Sequence, residues 1–152
     1  MRVKSLPVVI VDTREQTPWQ FSPDVVVMLR EKLPAGDYSL RGFEHQVAVE
    51  RKSLEDLVKT LFFDWVRFKK ELNRLAGYEL ACIAVECDVR DVAEKKYVPD
   101  VHPNAVLGRC HAVFADYGVP TFFWGERSYA RATAERFLLL AEKRLCGVKG
   151  DE

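Results

Sequence analysis

The sequence predicts an α/β protein in which short strands form a central sheet and longer helices cover it. Short apolar runs rich in β-branched residues recur along the chain, and longer segments with helical spacing of apolar residues separate them. The 152 residues, 48% hydrophobic and 30% charged, suffice for a single core. We therefore expect one domain over residues 1–147, followed by a short tail, residues 148–152.

The first predicted strand is the apolar run PVVIVD, from Pro7 to Asp12, which ends in a carboxylate. A continuous apolar run of this kind is typical of a strand that is buried on both faces. The segment TREQTPWQFSP that follows is rich in prolines and turn-forming residues, which indicates a loop. Residues Val25 to Leu33 fit either a short helix or an extended segment.

The runs DYSLRG and HQVAVERK, separated by Gly42, predict a β-hairpin. Side chains alternate between the two faces of a strand, so Glu50 and Lys52 should share one face while Arg51 lies on the other.

Ser53, with Asp56 three residues later, resembles a capping box at the start of a long helix. Apolar residues keep helical spacing from Leu54 to Leu75, over about six turns, and Gly77 ends the helix. The remaining predicted elements, two strands and two helices, are Leu80 to Cys87, Pro103 to Tyr117, Val119 to Trp124 and Ser128 to Leu145.

Composition narrows the class of protein. No apolar run approaches the roughly 18 residues of a membrane span, so we expect a soluble intracellular protein without membrane association. The four cysteines form no C-x-x-C pair, which favours reduced thiols over a zinc site or a disulfide scaffold. A formal net charge of zero argues against non-specific wrapping of nucleic acid but allows a local basic patch.

One triplet of residues fits the needs of phosphodiester hydrolysis, which are a divalent metal, a polarised water and a cation near the reacting phosphate. Mg²⁺ prefers oxygen ligands, and two carboxylates with a main-chain carbonyl suffice to hold it. Asp37 at the start of the hairpin, Glu50 on the return strand and Lys52 beside it supply these groups. The pattern D…E-x-K resembles the PD-(D/E)xK, restriction-endonuclease-like superfamily.

Three longer blocks resemble the XPF-type structure-specific endonucleases. The segment GDY…VERKSLEDL is similar to their G-D…E-R-K-x-x-x-D signature, VDTRE is similar to their V-D-x-R-E, and RFKKELNRL resembles their helix motif. The blocks occur in the family's order over the first half of the chain. The matching positions are Val11, Asp12, Arg14, Glu15, Gly36, Asp37, Glu50, Arg51, Lys52, Asp56, Arg67, Phe68, Glu71, Arg74 and Leu75.

The resemblance implies a central mixed sheet whose hairpin carries the site, and a metal-dependent endonuclease that cuts branched or otherwise structured DNA with a metal-activated water. It implies that Asp37, Glu50 and Lys52 are catalytic, that Asp12 joins the two carboxylates at Mg²⁺, and that Mn²⁺ can substitute. It implies supporting roles for Glu15, Arg51 and Asp56, and DNA contacts for Arg14 and Arg51. Helical spacing independently places Arg67, Lys70 and Arg74 near one stripe of the helix, which predicts further DNA contacts there.

Each of these assignments has an ordinary structural alternative. Glu50 and Lys52 could form a cross-strand ion pair worth roughly 0 to 1 kcal/mol. Arg51 could form a structural salt bridge, and Asp56 could stabilise the helix dipole. Asp12 could cap its loop, and the basic helix residues could be a solvated face.

The family's enzymes usually carry a C-terminal tandem helix-hairpin-helix module that binds DNA and dimerises, and VKGDE leaves no room for one here. A homodimer, a heterodimer and a separate DNA-binding partner chain all stay open. So does a second function, a non-catalytic DNA-binding or partner-stabilising subunit. The FLLL of the last helix fits a core or a dimer surface. The expected location is the cytoplasm, with the cellular DNA, for a prokaryotic or viral protein and the nucleus for a eukaryotic one.

Overall fold

The structure, a computed structural model, describes residues 5–147, so the predicted tail lies outside the described residues. A six-stranded sheet has the order β2-β1-β3-β4-β5-β6. The strands are β1 Val8–Val11, β2 Val27–Arg30, β3 Tyr38–Leu40, β4 Val47–Lys52, β5 Leu80–Val85 and β6 Thr121–Phe123. The helices are α1 Leu54–Phe63, α2 Trp65–Leu75, α3 Val89–Ala93, α4 Pro103–Tyr117 and α5 Arg127–Leu145. The predicted α/β class is confirmed.

The sheet is mixed because β3 is antiparallel to both of its neighbours, whereas the other strand pairs are parallel. The segment that fitted either a helix or an extended chain contains β2, which pairs with β1 at the edge of the sheet. The Val27 N–H donates to the Pro7 carbonyl oxygen at 2.9 Å. Pairing with β1 therefore selects the extended alternative.

Helices cover both faces of the sheet, and the alternation along β4 divides the core. Ala48 packs with residues of α1, α2 and α4, while Val47 and Val49 pack with residues of α5. Within α5 the apolar run is divided, because Leu138 is fully buried and Leu140 is 50% exposed. None of the helices within residues 5–147, α5 included, is long and apolar enough to span a membrane.

The single helix predicted after the hairpin is wrong, because the chain forms two helices that meet at Asp64. Its φ of −132° and ψ of 31° are not helical. The Arg109 guanidinium of α4 lies 4.9 Å from the ring centroids of both Phe62 and Trp65, on either side of this break. A cation–π contact from a distant helix thus accompanies the bend, and local apolar spacing cannot reveal it.

One helix has no counterpart in the sequence-based prediction. Helix α3 begins after Asp88, whose side chain forms a reciprocal capping box with Asp91. A helix of this length shows too little periodicity to be recognised from apolar spacing.

The cysteines Cys82, Cys87 and Cys110 are buried and form no disulfide in the described part of the chain. Burial raises the pKa of all three thiols. These side chains are therefore protonated, apolar packing groups at neutral pH.

Candidate active site

The direction of β3 brings the predicted catalytic residues together. Because β3 is antiparallel to β1 and β4, the N-terminal end of β3 lies beside the C-terminal end of β4. Asp37 directly precedes β3, and Glu50 and Lys52 lie at the C-terminal end of β4. All three line one cleft of about 430 Å³ beside α2. The full lining is Arg14, Asp37, Glu50, Lys52, Thr60, Asp64, Arg67, Phe68, Lys70, Glu71 and Arg74.

The turn that presents Asp37 is held tightly against β4. Gly36 has φ +77°, and a Cβ there would lie 2.9 Å from the Cβ of Ala48, so glycine is required on both counts. The Asp37 N–H donates to the Val49 carbonyl oxygen at 2.9 Å. The Arg51 N–H donates to Asp37 Oδ2 at 2.8 Å. The Asp37 carboxylate is thus oriented by the backbone of the strand that carries Glu50.

Glu50 and Lys52 share one face of β4, as the alternation predicts. Their side chains are 14% and 17% exposed, and Lys52 Nζ lies 3.5 Å from Glu50 Oε1. The ammonium group also lies 5.4 Å from the ring centroid of Phe68 on α2. Both side chains are largely buried at the cleft wall, so they do not form the ion pair on a solvated sheet face that the sequence also allowed.

Ionisation of Asp37 and Glu50, two of the carboxyl groups that line the cleft, is opposed by burial and by neighbouring carboxylates. Burial, reinforced by the Asp37 carboxylate, raises the pKa of Glu50 to about 8. Burial, reinforced by the Glu15 carboxylate, raises the pKa of Asp37 to about 6, although the Arg51 N–H and the Lys52 charge act in the opposite direction. A bound cation would relieve this repulsion.

The donor atoms in the cleft suit a hard cation. Carboxylate oxygens are the preferred ligands of Mg²⁺ and Mn²⁺, and Asp37 and Glu50 supply two such groups at one edge of the sheet. Within residues 5–147, no group of three or more histidine, cysteine, aspartate or glutamate side chains is arranged to hold a metal ion. The Asp37 and Glu50 carboxylates fit Mg²⁺, which binds proteins through one or two carboxylates and keeps several waters.

Asp12, the third predicted metal ligand, holds the loop after β1. It is fully buried, and its Oδ1 accepts the Leu33 N–H at 2.8 Å. Its Oδ2 accepts Arg14 Nε at 2.6 Å. Burial alone would raise the pKa of Asp12, but the hydrogen bonds from Leu33 and Arg14 hold it below its usual value. Asp12 does not line the cleft, and its metal role stays a prediction.

Arg51 points away from the cleft and joins a buried ionic network on the α5 side of the sheet. Its Nε lies 2.7 Å from Glu15 Oε2, and its Nη1 lies 2.7 Å from Glu86 Oε1. The Tyr38 hydroxyl donates to Glu15 at 2.8 Å, and Arg127 lies 3.3 Å from Glu86. Of the two roles that the sequence implies for Arg51, this position favours the supporting one.

The predicted basic residues lie at the mouth of the cleft. Arg14 extends from the loop after β1, while Arg67, Lys70 and Arg74 lie on α2, and all four are largely exposed. Asp56 is exposed in the first turn of α1 and does not line the cleft; its N–H donates to Ser53 Oγ at 3.1 Å. The predicted cap at Ser53 is confirmed.

The sequence assigns no role to several residues around the site, although Phe68 and Glu71 match the family's helix motif. Thr60, Asp64, Phe68 and Glu71 line the cleft, and Glu86 belongs to the Arg51 network. A signal existed for some of them. Phe68 and Glu71 are within one turn of Arg67 or Arg74 on α2, and Glu86 follows a buried strand just as Asp12 does.

Comparison with known proteins gives consistent relatives. The ERCC4 domain profile matches residues 11–130. XPF from Aeropyrum pernix superposes with a TM-score of 0.67 at 27% identity, over 89% of this chain and 61% of that chain. A second structure of that protein, in complex with DNA, gives a TM-score of 0.65 at 26% identity, over 91% of this chain and 66% of that chain.

Among curated proteins, a putative ATP-dependent RNA helicase of Methanocaldococcus jannaschii is 28% identical over 135 residues. That match covers 89% of this chain but only 15% of the helicase. The chain thus spans less than two thirds of each of these relatives. The profile match covers most of the chain, the mixed sheet is that of the XPF nuclease fold, and the chain belongs to the ERCC4 domain family, a family of structure-specific DNA nucleases.

Proposed function

We propose that this protein is a metal-dependent endonuclease that hydrolyses phosphodiester bonds in branched or otherwise structured DNA. The observation that carries the proposal is the convergence of Asp37, Glu50 and Lys52 in one cleft, with basic side chains at its mouth. Family membership supports the DNA substrate, as does the solved complex of the Aeropyrum pernix XPF with DNA. We assign the nuclease domain to residues 1–147.

The residues of the cleft divide the chemistry among them. Asp37 and Glu50 hold the divalent cation, Mg²⁺ with Mn²⁺ as a substitute, which when bound supplies Lewis acidity toward water and phosphate. Lys52 orients the attacking water by hydrogen bonding and stabilises the charge that develops on the phosphate. The Phe68 ring limits where the Lys52 ammonium can lie.

Basic residues on two sides of the cleft bind the DNA backbone. Arg14 approaches from the loop after β1, while Arg67, Lys70 and Arg74 approach from α2. Contacts of arginine and lysine with phosphates position a duplex or single strand without reading its sequence. The protein would thus act with the cellular DNA, in the cytoplasm of a prokaryote or in a eukaryotic nucleus.

The test is cleavage of labelled single-strand, duplex, flap, splayed-arm and nicked-fork DNAs with Mg²⁺, Mn²⁺ or EDTA. The residues Arg67, Lys70 and Arg74 form the basic row of α2. Lys52→Ala is compared with Lys69→Ala, since Lys69 is also exposed on α2 but does not line the cleft. We expect metal-dependent cutting by wild type and Lys69→Ala and none by Lys52→Ala. A folded wild-type protein that binds these DNAs but cuts none of them would instead indicate a DNA-binding subunit.

A further inference from the structure

Glu71 connects the helix that carries the basic row to the turn that carries Asp37. Its Oε1 accepts the Gly36 N–H at 2.9 Å, directly before Asp37 in the chain. Its Oε2 lies 3.6 Å from Arg74, and the side chain is 21% exposed. A hydrogen bond to a backbone amide that is largely shielded from water has a defined geometry and is costly to leave unmade.

The position of Gly36 constrains that of Asp37, because the two residues are adjacent in the chain. The Gly36 backbone is confined by its positive φ and by its close approach to Ala48. The next N–H, that of Asp37, already bonds to β4 at Val49. A turn held from β4 on one side and from α2 on the other has little freedom to shift.

Helix α2 therefore contacts two catalytic groups from adjacent turns. Phe68 lies against the Lys52 ammonium, and Glu71, three residues later, holds the turn before Asp37. Residues three apart on a helix share one face. The same helix places Arg67, Lys70 and Arg74 at the mouth of the cleft.

We propose that Glu71 is a positioning residue, which fixes Asp37 relative to the basic row of α2 through its hydrogen bond to the Gly36 N–H. The inference rests on the proposed nuclease function and adds to it a residue that acts through the turn before Asp37. The reaction rate depends strongly on the positions of the catalytic groups, because a shift of about 1 Å at a reacting group can cost about 100-fold in rate.

Two substitutions separate the hydrogen bond from the charge. Glu71→Gln keeps a side-chain oxygen that can accept the Gly36 N–H but removes the negative charge, whereas Glu71→Ala removes both. Asn73→Ala is the matched control, since Asn73 is exposed on the same helix and does not line the cleft. Alanine is a favourable helix residue, so neither alanine variant should weaken α2.

The experiment measures kcat and KM on the preferred DNA together with the amide signals of Gly36 and Asp37 in ¹H–¹⁵N NMR spectra. We expect Glu71→Ala to lower kcat about 10- to 100-fold with KM changed less than about threefold, and to shift both amide signals. Glu71→Gln and Asn73→Ala should both retain wild-type kcat. Asn73→Ala should leave both amide signals unchanged, and Glu71→Gln should shift the Asp37 signal less than Glu71→Ala does.

Three results would overturn the positioning role. They are wild-type kcat in Glu71→Ala, a loss in Glu71→Gln equal to that in Glu71→Ala, and unchanged amide signals in Glu71→Ala. The third readout needs no turnover. If the wild-type protein cut no DNA, the nuclease proposal would fail, and the Gly36 and Asp37 signals would still decide whether Glu71 holds the turn.

Discussion

The two faces of β4 differ in how fully their charged residues are paired with opposite charges. On the α5 face, Arg51 is matched by Glu15 and Glu86 at short distances within a closed network. On the α2 face, Glu50 lies beside a second carboxylate, and its pKa is raised. The three consecutive residues Glu50, Arg51 and Lys52 therefore do different work. Matched charges hold the sheet and its loops together, while the imperfectly matched ones face the cleft, where a cation and a phosphate can complete them.

The largest expected effect is on stability and lies on the matched face. Arg51→Met leaves the buried Glu15 without its cation and leaves Glu86 with the longer contact to Arg127, and breaking a buried pair from one side costs about 3 to 5 kcal/mol in the free energy of unfolding. Urea denaturation measures it. Adding Glu15→Gln and Glu86→Gln to the same variant should recover part of the loss. A loss under about 1 kcal/mol would place this network with ordinary surface ion pairs.

The opposite face should respond in activity. Glu50→Gln keeps the shape of the side chain but removes a carboxylate that holds the cation, so cleavage should fall at least about 100-fold. The measurement is the rate on the best DNA substrate at saturating Mg²⁺. Glu79→Gln, at the other end of the sheet, is the control. Cleavage by Glu50→Gln within a few-fold of the control would contradict the site assignment.

The same substitution should raise stability in EDTA. Folding raises the pKa of Glu50 to about 8. Its contribution to stability is therefore complete below the unfolded-state value of about 4.3 and is lost as the pH rises through the raised value. Glu50→Gln stays neutral, so its advantage in free energy of unfolding over wild type should grow from about pH 5 to about pH 8. Urea titrations at four pH values check this, and a pH-independent difference would contradict it.

The smallest effects concern the cations at the cleft mouth. Arg67→Ala, Lys70→Ala and Arg74→Ala should each weaken binding to all DNAs alike and reduce the slope of log K against log salt by about 0.9 on duplex. Arg127→Ala is the comparison, since Arg127 does not line the cleft and lies beside Glu86 on the matched face. Equal slopes for Arg127→Ala and the α2 variants would remove the distinction between the two sets of cations.

Much of the fold follows from local patterns, whereas most of the predicted cleft residues follow from the resemblance of three sequence blocks to one family. Pleat alternation separates Arg51 from its neighbours, and apolar runs locate β1, β4 and β5. The break at Asp64 is accompanied by a contact with Arg109, which is distant in the chain, and spacing between neighbours could not show that contact. Glu71 matches the family's helix motif, but its role could not be predicted, because its partner is a backbone N–H that becomes its neighbour only when the sheet has formed. The edge position of β2 likewise depends on pairing with β1.

The antiparallel direction of β3 separates the two ends of the hairpin by function. Asp37 and Glu50 meet where β3 begins and β4 ends. The hairpin tip, residues 41–46, therefore lies at the opposite end of these two strands. Gly42 and His45 are exposed there, and a Cβ on Gly42 would meet no atom within 4 Å. Exposed loop tips tolerate insertions at little cost. The tip is therefore the place for a fluorophore or a surface tether, which would let single molecules be watched on DNA with the cleft unobstructed.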